Sequence, residues 1–291
     1  MNKFLAEEKV RRIIPSRKAI SRARSLLRHH RRSQKEDRSF AGEYAHLKHL
    51  VEKLDIHDGF VVDIGASDGV NQSCTLGLFR RPTWSGLAVE LRPEQFGQLA
   101  FVYTEFSNTQ LAMARVTPPS VGPLLASHDV PKVFDVLNID IDSYDLPVMK
   151  SILTAGYRPK IITFEISEEI PPPIYFCADY HEGVDYGHGA LFGCSVVAAA
   201  ESIRPFGYRL ESVQYNNAFF VLDAVCDDTI QDQNVEVAYN DGFRNKPDRD
   251  ELFPWHENLE NRLKESPEKI IESVNDRLSR FKGKYTLRIS N

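Results

Sequence analysis

Phe60-Val61-Val62-Asp63-Ile64-Gly65-Ala66-Ser67-Asp68-Gly69 decides how the rest of the chain is to be parsed. Phe60 to Ile64 reads as a buried strand, with an acid near its end and a turn of the form D-x-G-x-x-x-G after it. Glycine in such a turn lets a bulky ligand approach the backbone where a Cβ would stand in the way. The spacing departs from the dinucleotide fingerprint G-x-G-x-x-G, in which amides at a helix N-terminus meet a pyrophosphate. Read without a ligand, the same residues are an ordinary glycine-containing passage from strand to helix.

Working outward, Gly86 to Val89, Gln110 to Val116, Val133 to Ile139 and Ile161 to Ile166 are further strand candidates. Arg92 to Tyr103 and Leu146 to Ala155 are able to form helices between them. Tyr208 to Gln214 and Ala218 to Ala224 form a pair across the turn-prone Asn216-Asn217. The alternation predicts an α/β fold, a Rossmann-like doubly wound sheet with an antiparallel edge. Glu168 to Gly193 is too long for an ordinary connection and is expected to be a lid or substrate loop.

Polar residues gather where these strands end. Glu90 closes the second strand, where a carboxylate accepts hydrogen bonds from both hydroxyls of a ribose, a role that suits any adenosine cofactor, NAD included. Asp135-Val136-Leu137-Asn138-Ile139-Asp140-Ile141-Asp142-Ser143-Tyr144-Asp145 runs into a cluster of acids. Asp140, Asp142 and Asp145 are able to hold a hard divalent cation, or to accept a proton from a hydroxyl. Capping by Asp142-Ser143 of the helix that begins near Leu146, with Asp145 favouring its dipole, is the competing structural role. Glu165, at the end of the fifth strand, would face the same cleft and complete a metal site with Asp140 and Asp142. His188, between Gly187 and Gly189, is a candidate general base.

These blocks resemble the FkbM-type branch of the class I S-adenosylmethionine-dependent methyltransferases over about residues 57 to 225. Val62-Asp63-Ile64-Gly65, Ala88-Val89-Glu90 and Ile139 to Leu153 carry the likeness. Phe164-Glu165-Ile166 with Pro171-Pro172-Pro173, Phe192-Gly193-Cys194-Ser195 and Asn216-Asn217-Ala218-Phe219-Phe220-Val221 extend it. The resemblance implies a seven-stranded sheet with an antiparallel last strand. It also implies S-adenosylmethionine as cofactor, held by Asp63, Gly65, Ser67, Gly69, Glu90 and Asp140, and O-methyl transfer, often to a sugar hydroxyl. The cofactor has no phosphate, and its sulfonium and ammonium charges suit carboxylates such as Asp63. Catalysis would fall to Asp140, Asp142 or His188. At Asp142 the chain departs from the usual Val-Glu-Gly run, and Asp-x-Asp is closer to metal-assisted sugar O-methyltransferases, which leaves Mg2+ open. Asp140-Ile141-Asp142 also fits the D-x-D motif of nucleotide-sugar glycosyltransferases, and a non-catalytic Rossmann-like binding module is the third reading.

Composition narrows the partners. Residues 1 to 40 carry 13 Lys and Arg against 4 Asp and Glu, whereas the remainder carries 23 against 37. An acidic body argues against nucleic acid as partner, because duplex binding draws most of its affinity from cations on phosphate. A small-molecule or glycan acceptor is expected instead. The basic leader suits peripheral contact with an anionic membrane as well as it suits a solvated or disordered segment. Cys74, Cys177, Cys194 and Cys226 form no CxxC pair, and an apolar signal segment is missing, so a cytoplasmic location is expected. The resulting division is a basic helical or disordered extension at 1–43, a methyltransferase-like domain at 44–225, and a polar, helical appendage at 226–291. Composition is silent on oligomeric state.

Overall fold

The computed structural model describes residues 17–35, 37–184, 186, 191–256 and 258–290, with side chains from residue 25 onward. His188 lies outside the described residues. In chain order the elements are α1 (Arg17–Ser33), α2 (Glu43–Lys53), β1 (Phe60–Ile64), α3 (Leu76–Phe79), β2 (Ser85–Glu90), α4 (Pro93–Tyr103) and β3 (Thr109–Met113). Next come α5 (Pro118–Ser127), β4 (Val133–Ile139), α6 (Asp145–Thr154), β5 (Arg158–Glu165), β6 (Ile174–Ala178), α7 (Val196–Ile203), β7 (Tyr208–Gln214) and β8 (Asn217–Leu222). The chain then runs through α8 (Val235–Tyr239), α9 (Arg249–Leu252), α10 (Leu259–Arg262), α11 (Pro267–Arg277) and β9 (Tyr285–Ile289).

Seven strands pair in the order β3-β2-β1-β4-β5-β8-β7. β3, β2, β1, β4 and β5 are parallel, and β8 runs antiparallel to both of its neighbours. This is the Rossmann-like doubly wound sheet with an antiparallel last strand. After β3 the chain crosses β1 to begin β4, so the direction of winding reverses between β1 and β4. Ligands of open α/β sheets bind outside the strand C-termini at such a reversal.

Alternation along the strands builds two cores. Val62, Ile64, Leu87, Val89, Leu137, Ile139, Ile162 and Phe164 point to one face, packed under α5, α6 and α7. Val61, Ala88, Val136, Ile161, Phe219 and Val221 point to the other, packed under α2, α3 and α4. A period of two places successive side chains on opposite faces, and a sheet covered on both sides therefore reads as a near-continuous apolar run.

Three local expectations are corrected. The β7–β8 hairpin turns on Tyr215-Asn216, with Tyr215 at φ 54°, and Asn217 already belongs to β8. Helix α6 is preceded by Tyr144, which makes no side-chain cap, so neither Asp142 nor Ser143 caps it. Asp145 instead reaches back to accept the backbone N–H groups of Ile141 (2.8 Å) and Ser143 (3.1 Å) and holds the loop closed. The segment from Glu168 to Gly193 is only partly a loop. It contains β6, which pairs with β9 in a second, two-stranded sheet, and its Ile170, Ile174 and Phe176 join the core.

Past Cys226 the chain packs onto the same core through Tyr239, Phe243, Phe253, Leu263, Ile270 and Val274. Burying a side chain of this size contributes roughly 1.5–3 kcal/mol, enough to hold a stretch whose short helices would not persist alone. Among the described residues no helix is long and apolar enough to cross a membrane.

Candidate active site

A cavity of about 1450 Å³ opens over the C-terminal ends of the parallel strands. Sites for drug-sized ligands span roughly 300–1,000 Å³, so this one has room for a cofactor and a second molecule.

At one end the tips of β1 and β2 meet. The Val89 carbonyl accepts both the Gly65 and the Ala66 N–H at 2.9 Å, and the Ile64 carbonyl accepts the Asp140 N–H at 2.9 Å. Gly65 has φ 93°, and a Cβ there would stand 1.7 Å from the Asp140 carbonyl oxygen. Gly69 has φ 75°, and its Cβ would meet Leu99 and Tyr103 of α4 at 2.5 and 2.8 Å. Both glycines are therefore demanded by the chain's own packing as well as by backbone conformation. The sequence alone points to the approach of a ligand at these glycines; in the fold the Asp140 carbonyl and the α4 side chains already fill the space a Cβ would need.

Glu90 is buried at the cavity edge, accepting the Ser67 N–H (2.9 Å), the Arg92 N–H (2.7 Å) and the Arg92 Nε–H (3.2 Å). Each carboxylate oxygen has two lone pairs, so Oε1 is filled by Arg92 and Oε2 keeps one acceptor position for a ribose hydroxyl. Asp63 is 2% exposed and lies between Thr75 Oγ1 (2.5 Å) and Asn138 Nδ2 (2.8 Å), both donating to it. Burial raises its carboxyl above the usual range, and those two hydrogen bonds pull the other way. Asp63 lines the cavity floor, with both of its oxygens already engaged.

Asp140, Asp142 and Glu165 come together as the sequence suggests, with one carboxylate oxygen of each within 4.8 Å of the others. Asp142 reaches this position with φ 53°, a left-handed conformation that aspartate tolerates better than most residues. Enclosure by the cavity walls, then repulsion from Asp142 and Asp145, hold the Asp140 carboxyl well above its ordinary range. Burial and the Asp140 and Asp142 charges do the same to Glu165, which accepts a hydrogen bond from Asn216 Nδ2 at 2.9 Å. Desolvation carries Asp145 to about 6. Asp135, at the start of the acidic run, is structural: it accepts the Phe60 N–H (2.7 Å) and pairs with Lys160 (2.8 Å).

Several lining residues escape sequence reasoning. Glu43, the first residue of α2, accepts a hydrogen bond from Asn217 Nδ2 (2.7 Å), and burial with the Asp140 charge pushes it up to about 8. Nothing in Glu43-Tyr44-Ala45 marks it out, because its role depends on α2 lying across the end of β8. His256 and Glu168 line the far wall and pair at 2.6 Å. They are separated by 88 residues. Tyr144, Tyr180 and Tyr186, which also line the cavity, form an edge-to-face group in which the Tyr144 ring centroid lies 4.8 Å from Tyr180 and 5.0 Å from Tyr186.

Two features stand out chemically. Carboxyls outnumber cations around the cavity, and several are held above their normal ionisation range. Such a chamber favours a ligand that brings positive charge, which would restore the ionised state of those acids.

No family model matches the chain, and no curated protein does. Solved structures that match include the N-terminal domain of EvdMO1 with SAH bound, at 14% identity and TM-score 0.40, covering 62% of this chain and 79% of that one. An S-adenosylmethionine-dependent methyltransferase from Clostridium acetobutylicum matches at 10% identity and TM-score 0.41, covering 70% and 98%. Aeropyrum pernix fibrillarin with natively bound S-adenosyl-L-methionine matches at 13% identity and TM-score 0.41, covering 61% and 73%. The Rossmann-like assignment stands on the strand order and register of this chain.

Proposed function

We propose that the chain is an S-adenosylmethionine-dependent methyltransferase acting on a hydroxyl of a sugar, a glycan or a related small molecule. One observation carries this reading: Glu90 and the Ser67 amide meet where the tips of β1 and β2 lie side by side, beside a cavity lined by Asp63, Asp140, Asp142 and Glu165. A dinucleotide would bring its pyrophosphate against Asp63, Glu90 and Asp140. The first helix after β1 here is the short α3, beginning at Leu76, well beyond the glycine turn. A cofactor carrying a sulfonium and an ammonium group meets attraction where a pyrophosphate meets repulsion.

S-adenosylmethionine would supply an electrophilic methyl group. In this reading Glu90 would accept a ribose hydroxyl through Oε2, the Gly65–Ser67 backbone would lie along the adenosyl portion, and Asp140 would face the positive groups. The remaining volume takes the acceptor, and most of the acceleration comes from holding the two molecules in line. Asp140, Asp142 and Glu165 offer the hard oxygen ligands that Mg2+ takes, and in the metal-assisted version they hold the ion that orients the acceptor hydroxyl.

Calorimetric titration with S-adenosylhomocysteine tests the proposal, with stoichiometric binding expected. A rise in melting temperature with Mn2+ and a nucleotide sugar, and none with S-adenosylhomocysteine, would instead point to a glycosyltransferase. Cofactor binding without methyl transfer to any hydroxyl compound would reduce the chain to a binding module. A magnesium titration of the Asp142→Asn variant against the parent separates the metal-assisted version from the metal-free one.

A further inference from the structure

The cavity's two ends differ in origin. The strand-tip end holds Glu90, Ser67 and Asp140. The far wall is built by the chain that follows β5 and by the C-terminal stretch, and there Glu168 and His256 face each other.

The pair is rigidly held. His256 Nε2 lies 2.6 Å from Glu168 Oε1, and their side chains are 11% and 8% exposed. The imidazole stacks on Phe253, with an interplanar angle of 16° and centroids 5.7 Å apart, and Phe243 meets it edge-on. Glu168 is fixed through its backbone, whose carbonyl accepts the Tyr239 hydroxyl at 2.7 Å. Its neighbour Glu169 is tied to Arg262 (3.0 Å) and to Arg277. Among the described residues the hydrogen bond of the His256 ring is made by Nε2 alone, which leaves Nδ1 free of a partner there, and His256 is among the residues that line the cavity.

We propose that His256 is the general base of the reaction and Glu168 its positioning partner. The inference rests on the methyltransferase reading above. In the transfer step the acceptor oxygen bonds to the methyl carbon as the carbon–sulfur bond breaks, and that bond's electron pair passes to sulfur. The hydroxyl proton moves to Nδ1 of His256. The imidazolium so formed sits against the Glu168 carboxylate, which also holds Nε2 as the protonated nitrogen beforehand. This is the orienting arrangement of carboxylate and imidazole seen wherever a histidine must present one chosen nitrogen. Asp140 is left to the cofactor's positive end.

The test follows methyl transfer from labelled S-adenosylmethionine to a panel of methyl hexosides and dihydroxyphenols, together with S-adenosylhomocysteine calorimetry. His256→Gln is expected to lower kcat roughly 10²- to 10⁴-fold while leaving S-adenosylhomocysteine affinity within about twofold. Glu168→Gln, which keeps a hydrogen-bonding oxygen but removes the charge, is expected to fall between parent and His256→Gln. Added imidazole is expected to restore part of the turnover of His256→Ala, which a purely structural role would not permit. Unchanged kcat in His256→Gln, with the parent active, overturns the assignment and leaves the methyltransferase reading standing. Parent protein that binds no S-adenosylhomocysteine, or transfers no label, removes both. Should the His256 variants fail to fold, an unchanged kcat in folded, cofactor-binding Glu168→Gln is the overturning result.

Discussion

The strand-tip end of the cavity and its far wall are made in different ways, and the difference explains what each can tolerate. At the strand tips, function and packing share the same atoms: Gly65 abuts the Asp140 carbonyl, and Glu90 binds the amide of the loop it would help to close over a cofactor. On the far wall, residues distant in sequence are brought together by core packing, and Trp255 faces the cavity while largely exposed. A substitution at the first end should damage folding and binding together. One at the second should separate them.

The largest expected effect is at Gly65. Gly65→Val would force a side chain into backbone 1.7 Å away, at a φ that β-branched residues avoid. The expected cost is about 4 kcal/mol or more, seen as loss of the cooperative melt by circular dichroism. A variant that melted like the parent would show that the close approach is relieved at no cost, and the contrast between the ends would collapse.

Next comes pH. Glu43 is neutral by preference in the folded chain, at about 8 against an ordinary 4.5. Its contribution to stability is full below pH 4.5 and is lost as pH rises through 8, because the unfolded chain releases the proton more readily. The melting temperature should fall across that interval, with Glu43 responsible for a change on the order of 5 kcal/mol. Glu43→Gln, keeping the Asn217 contact, should flatten the slope. S-adenosylmethionine should do likewise and release protons on binding, detectable by calorimetry in two buffers of different ionisation enthalpy. A slope identical in parent and variant would show that Glu43 is not the group responsible.

Glu90→Ala should weaken S-adenosylhomocysteine binding roughly 30- to 100-fold, the worth of one or two hydrogen bonds to a charged acceptor. It should also lower the melting temperature, since the Ser67 and Arg92 amides lose their partner. Affinity lost with stability intact would mean that the strand-tip end is more modular than its hydrogen bonds suggest. The smallest effect is expected at Trp255, which lines the cavity while 62% exposed. Trp255→Ala should change stability by less than about 1 kcal/mol and cofactor affinity hardly at all, while raising KM for the acceptor several-fold. A large fall in stability would place Trp255 in the core and erase the distinction.

The strand-tip end was legible because its chemistry is written over short distances. A strand, an acid and two glycines within ten residues define one tip, and Glu90 follows one strand later. Even so, the reason for Gly65 was hidden, since the carbonyl it avoids belongs to Asp140, 75 positions on. The acids of the β4 loop were legible as a group. Their division into a structural Asp135, a loop-closing Asp145 and a cavity-facing Asp140 and Asp142 depended on which backbone amides lay within reach.

Sequence by itself determined the succession of the seven strands of the main sheet, its two-sided burial and the clustering of acids at its C-terminal edge. All of these follow from periodicity and from residue types set side by side along the chain. Only the tertiary structure decided that α2 brings Glu43 to the cavity, that the segment after β5 contributes a strand to a second sheet, and that His256 meets Glu168. Those contacts join residues separated by scores of positions, and they form because apolar surface on polar-looking segments finds the exposed face of the sheet, a choice that no local pattern of residues encodes.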